Sequence, residues 1–119
     1  MERPLQGRTI LVVEDQPLIA LNVAQALEDA GATVTEASNL IQGLALVDNA
    51  GLSGAVLDHG LGNDDSSPLC EQLKQRGIPF LIYSGFPIVG GACGGAPHLT
   101  KPATDEQLVR AVAGLMGAA

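Results

Sequence analysis

Short apolar runs that stop on a polar residue constrain this chain more than any other feature. Gly54-Ala55-Val56-Leu57 ends on Asp58, Thr9-Ile10-Leu11-Val12-Val13 runs into Glu14-Asp15, and Phe80-Leu81-Ile82-Tyr83 runs into Ser84-Gly85. A shorter run, His98-Leu99-Thr100, is closed by Lys101-Pro102. Each is too short for a core helix and reads as a buried strand. Strands buried on both faces need helices to cover them, and the carboxyl ends of such strands form the ligand crevice of an open α/β sheet. The polar residues therefore stand where chemistry would be.

The segments between the runs have helical spacing. Pro17 can open a helix in which Ile19, Val23, Leu27 and Ala30 recur until Gly31 stops it. Thr33 to Ala37 is a β-favoured run whose polar alternation suits an edge strand. Asn39 is placed to cap a helix carrying Leu40, Leu44 and Val47. After the run to Asp58, residues Gly60 to Ser67 read as a polar loop, Pro68 to Gln75 as a short helix, and Gly77 as its stop. Thr104-Asp105-Glu106-Gln107 reads as a capping box opening a last helix through Leu108, Val112, Leu115 and Met116. Phe86 to Pro97 breaks this rhythm. Gly90, Gly91, Gly94 and Gly95 fall within six residues, and each costs about 1 kcal/mol in a helix interior relative to Ala. A loop, or at most one turn, is expected there.

Five strands joined by crossovers, one of them degraded, predict an α/β fold with a parallel sheet and helices on both faces. At 119 residues, 46% of them apolar, residues 1–119 are expected to form a single domain. A net charge of −7 argues against direct contact with nucleic acid or an anionic membrane and is compatible with a metal cation. No apolar run approaches the length of a membrane helix. Cys70 and Cys93 show no framework spacing, and no signal peptide opens the chain, so a reducing cytoplasm and free thiols are expected.

An acidic pair after the first strand, Asp58 after the third, Ser84 after the fourth and Lys101-Pro102 after the fifth resembles the receiver domain of two-component response regulators. The stretch from Leu61 to Phe86 is similar to small stand-alone receivers of alphaproteobacterial type. The resemblance covers nearly the whole chain. It implies a flavodoxin-like, doubly wound five-stranded sheet of order 2-1-3-4-5, with the fourth helix short or missing. It also implies a phosphoacceptor signalling domain, not an enzyme beyond its own phosphorylation and dephosphorylation. Asp58 would take a phosphoryl group from phosphohistidine on a histidine kinase or histidine phosphotransfer protein, with Ser84 and Lys101 contacting the phosphoryl oxygens. Mg²⁺ would be held by Glu14, Asp15, Asp58 and the backbone carbonyl of Gly60. His98 stands where receivers commonly carry a switch aromatic, and Gly60-Leu61-Gly62 replaces the usual Met-Pro.

The residue chemistry points the same way. A carboxylate attacks a phosphoryl group only when a cation offsets the repulsion between anions, and Mg²⁺ favours a few carboxylates plus retained waters. Taken singly, Glu14-Asp15 could be helix N-terminal acids, Asp58 a cap, Ser84 a turn residue and Lys101 a solvated charge. Their joint order at successive strand ends favours the site. Two alternatives stay open: a receiver-like binding module that signals without phosphate, and a small flavodoxin-type ligand-binding or phosphatase-like enzyme. A zinc site, a phosphate-cradling glycine loop and a Ser84 hydrolase each lack a required partner residue.

Overall fold

The computed structural model describes residues 3–48, 51–58, 60–61, 64–85, 93 and 95–116, with 60–61 and 64–65 described by their backbone. In chain order its elements are β1 (Thr9–Val13), α1 (Pro17–Asp29), β2 (Thr33–Ala37), α2 (Leu40–Val47), β3 (Gly54–Leu57), β4 (Gly60–Leu61), β5 (Asp64–Asp65), α3 (Ser67–Gln75), β6 (Phe80–Ser84), β7 (His98–Thr100) and α4 (Asp105–Leu115). The main sheet has the order β2-β1-β3-β6-β7, and every pair in it is parallel. Counted along the sheet strands alone, this is the expected 2-1-3-4-5 flavodoxin-like order.

Alternation along the strands divides the core into two layers. Ile10, Val12, Val56, Leu81 and Tyr83 pack with Val23, Leu27, Leu108 and Val112 of α1 and α4. Leu11, Val13, Ala55, Leu57 and Ile82 pack on the other face with Val47, Leu69 and Leu73 of α2 and α3. Full burial of one such aliphatic side chain stabilises by about 1.5–3 kcal/mol, so the two layers dominate the fold. β2 is one of the two edge strands, opposite β7, and four of its five residues are at least partly exposed.

The helix ends follow local chemistry. Pro17 occupies the first turn of α1. Its C-terminal turn is completed by Gly31 at φ 105°, where an added Cβ would lie 2.9 Å from the backbone of Gln6. Asn39 accepts a 2.8 Å hydrogen bond from the Gln42 amide to cap α2. Thr104 and Gln107 form the full reciprocal capping box of α4.

Two expectations are corrected. Gly60 to Ser67 is not loop throughout, because Gly60 pairs with Asp65 and Leu61 with Asp64 in a short antiparallel ladder before α3 begins at Ser67. Cys70 and Cys93 are not free thiols; they form a disulfide that ties α3 to the segment leading into β7. Both are fully buried in the α2–α3 layer, where a spacing of 23 residues gave no hint of contact. Most of Phe86 to Pro97, including the expected short or missing helix, lies outside the described residues. Cys93 lies in a 3₁₀ turn, and Gly95 and Ala96 form a turn and a bend before the chain enters β7.

Candidate functional site

The carboxyl ends of β1 and β3 deliver the acids. The Glu14 amide donates to the Ala37 carbonyl at 3.0 Å and the Asp58 amide to the Val13 carbonyl at 2.9 Å, so the ladders continue one residue past each strand. Side by side in a parallel sheet, the two strands necessarily bring their terminal acids together. Glu14, Asp15 and Asp58 each offer a carboxylate oxygen, and these oxygens lie within 4.8 Å of one another. Lys101, just past β7, reaches into the same place. Its Nζ lies 3.1 Å from Glu14 Oε2 and 3.6 Å from Asp58 Oδ1. The Lys101 amide donates to the Ser84 carbonyl at 2.9 Å, which fixes the lysine backbone against the end of β6. Ser84 itself is buried. The resemblance-derived residues thus gather at one end of the sheet, with Gly60 two residues beyond Asp58 at the start of β4.

Glu14 and Asp58 are both buried. Burial pushes the Glu14 carboxyl above its ordinary range, the Lys101 hydrogen bond pulls it back, and the neighbouring Asp58 charge pushes it up again. One lysine faces three acids, so the pocket holds an excess of negative charge. Asp15 Oδ1 is buried and has no hydrogen-bond donor. A buried carboxylate oxygen left without a donor is costly, and a cation beside it removes that cost. Hard oxygen donors, few in number and opening to solvent, fit Mg²⁺ better than a softer metal.

Two residues were missed from the sequence. Ser66 stands at the N-cap position of α3 yet makes no cap bond; its buried hydroxyl donates instead to the Asp58 carbonyl and pins the end of β3. Tyr83, one residue before Ser84, accepts a hydrogen bond from the Ala103 amide and carries Lys101 over its ring. Strand alternation was the available signal for Tyr83, since it places neighbours of Ser84 on the opposite face. Nothing local marks Ser66, whose partner lies eight residues away across an irregular connection. His98 is half-buried, and its Nε2 has no hydrogen-bond partner.

Comparison with known proteins gives a consistent result. The chain matches the family model of the response regulator receiver domain over residues 10–113. It is 32% identical over 111 residues to the transcriptional regulatory protein TcrA of Mycobacterium tuberculosis, covering 87% of this chain and 44% of that protein. The chain therefore spans less than half the length of this curated relative. Among solved structures it is similar to SdrG from Sphingomonas melonis, at 34% identity and a TM-score of 0.79, covering 92% of this chain and 96% of that one. It is also similar to a response regulator receiver protein from Sinorhizobium medicae, at 27% identity and a TM-score of 0.85, covering 96% and 98% of the two chains.

Proposed function

The chain belongs to the response regulator receiver domain family, and on that premise we propose that Asp58 is its phosphoacceptor, assisted by Lys101, Ser84 and a Mg²⁺ site. The observation that carries this reading is the convergence of Glu14, Asp15, Asp58 and the Lys101 ammonium in one pocket, with a carboxylate oxygen of Asp15 still lacking a partner. Asp15, Asp58 and the Gly60 carbonyl would hold Mg²⁺, with Glu14 reaching it through water. Bound there, the ion would supply the positive charge that lets an anionic nucleophile meet an anionic phosphoryl group.

The chain's own part is positioning and electrostatics. A carboxylate oxygen of Asp58 attacks phosphorus as the phosphorus–nitrogen bond of the donor phosphohistidine breaks, and the imidazole leaves. Lys101, already within 3.6 Å of Asp58, shifts its pairing from carboxylate to a phosphoryl oxygen. The Ser84 hydroxyl donates to a second oxygen. We assign the chain no other turnover than gain and loss of its own phosphoryl group. The donor is a histidine kinase or histidine phosphotransfer protein approaching the open end of the sheet. Among the described residues, Leu18 and Leu21 of α1 and Ile41 of α2 are the exposed large apolar side chains that such a protein would meet. The residues 1–119 act as a single receiver unit, and a cytoplasmic setting fits this donor chemistry. No described helix is long and apolar enough to cross a membrane.

Labelling with acetyl phosphate tests the assignment. The parent protein should incorporate phosphate only with Mg²⁺, and Asp58→Asn should lose incorporation altogether. Incorporation by Asp58→Asn equal to the parent's would place the acceptor elsewhere.

A further inference from the structure

On β6, Leu81 and Tyr83 face the α1–α4 layer while Ile82 faces the α2–α3 layer. Tyr83 therefore points away from the acids, yet three contacts couple it and its neighbour to the turn that carries Lys101. The Tyr83 hydroxyl accepts from the Ala103 amide at 3.1 Å. The Ser84 carbonyl accepts from the Lys101 amide at 2.9 Å. The Lys101 ammonium lies 5.5 Å from the centre of the Tyr83 ring, within the range at which a cation is attracted to an aromatic face. Glu14 and Asp58 approach that ammonium at 3.1 and 3.6 Å.

We propose that Tyr83 is a positioning residue for the phosphoryl transfer, its ring holding the Lys101 ammonium in the pocket; this rests on the reading of Asp58 and Lys101 given above. The neighbouring space explains why a ring is needed. A cavity of about 250 Å³ between α1 and α4 is lined by Tyr83, Lys101, Ala103 and Leu108. A long, flexible lysine next to such a space has room to swing out of the pocket. The ring face opposes that movement without a directional hydrogen bond, so the ammonium is held near Asp58 and still free to tilt toward an arriving phosphoryl oxygen. An aliphatic residue at this position fills part of the same volume but has no negative ring face.

The experiment separates ring, hydroxyl and bulk. Tyr83→Leu should lower the maximal rate of Mg²⁺-dependent labelling by acetyl phosphate on the order of tenfold, with little change in the half-saturating donor concentration. Tyr83→Phe restores the ring and should bring the rate back to within about twofold of the parent. Equal losses in both variants would assign the effect to the Ala103 hydrogen bond and overturn the proposal, as would an unimpaired Tyr83→Leu. A retained Mg²⁺-induced rise in melting temperature shows that Tyr83→Leu is folded. The parent offers a second readout, because Tyr83 is the sole tyrosine of a chain without tryptophan. Beryllium fluoride with Mg²⁺ should change its emission as the ammonium pairs with the phosphoryl mimic. Unchanged emission, under conditions where the mimic raises the melting temperature, would overturn the proposal. The two readings fail differently: an Asp58→Asn that still labels removes the acceptor assignment, whereas an inert Asp58→Asn beside a fully active Tyr83→Leu removes only the role of the ring.

Discussion

Glu14 is held at the end of β1 by a backbone bond to Ala37 and is buried beside Asp58, so its charge is opposed by desolvation and by a like charge, with Lys101 as the compensation. Its folded pKa is raised above the unfolded value. Protonated Glu14 is therefore compatible with the fold, and the stability linked to that proton is present below the unfolded pKa and lost as pH rises through the folded one. In metal-free protein, Glu14→Gln should match the parent at low pH and gain on it through the carboxylate range, reaching a plateau above the folded pKa. Melting temperatures of the two proteins across that range are the measurement. A constant difference would mean that Glu14 titrates alike in the folded and unfolded chain. The acids at 14, 15 and 58 were legible in the sequence because each follows an apolar run. Ser66 and the ring of Tyr83 were not, because their partners, the Asp58 carbonyl and Lys101, come close only through the folded connections.

Local rules decided the elements wherever the stabilising contact is itself local. The Asn39 cap, the Thr104–Gln107 box, Pro17 at the start of α1 and the glycine stops at 31 and 77 all appear as expected. Gly31 combines two constraints, a φ of 105° and a backbone neighbour where a Cβ would go. Gly31→Ala should destabilise the fold by about 2 kcal/mol or more, since left-handed backbone alone costs an L-residue about 1–2. Chemical denaturation gives the value, and a loss under about 0.5 kcal/mol, the range of neutral surface changes, would show that the α1–β2 turn relaxes to accept the methyl group. The disulfide lies at the other extreme. Cys70 sits on α3 and Cys93 beyond β6, and only the packing of the α2–α3 layer on the sheet brings them into bonding distance. The β4–β5 ladder escaped notice because two-residue strands carry too little pattern to register.

At the scale of the molecule, net charge and pocket charge have the same sign. The chain carries −7 overall, and three of its acids meet at one end of the sheet. A divalent cation bound there relieves repulsion only in the folded state and so stabilises it by mass action. At ten times its dissociation constant, Mg²⁺ should add about 1.4 kcal/mol and raise the melting temperature on the order of 5 °C. Asp15→Asn should remove most of that rise while leaving the melt cooperative. An equal rise in parent and variant would show that Mg²⁺ acts by general screening and not at this pocket. Beryllium fluoride added with Mg²⁺ extends the same measurement to the phosphoryl position proposed at Asp58.

The sequence by itself determined the alternation of strands and helices, the two-sided burial of the sheet and the polar residue at each strand end. These follow from hydrophobic periodicity and capping chemistry, which act over a few residues. Family resemblance supplied the strand order, and parallel pairing then carried Glu14 and Asp58 to the same end of the sheet. The tertiary structure alone decided that Lys101 is shared between Glu14, Asp58 and the Tyr83 ring, that Ser66 fastens the end of β3 and that Cys70 meets Cys93. Each of these is a contact between side chains or backbone groups set by the angle and distance at which whole elements pack. No local pattern encodes that geometry, because it comes from the close packing of both core layers against one twisted sheet.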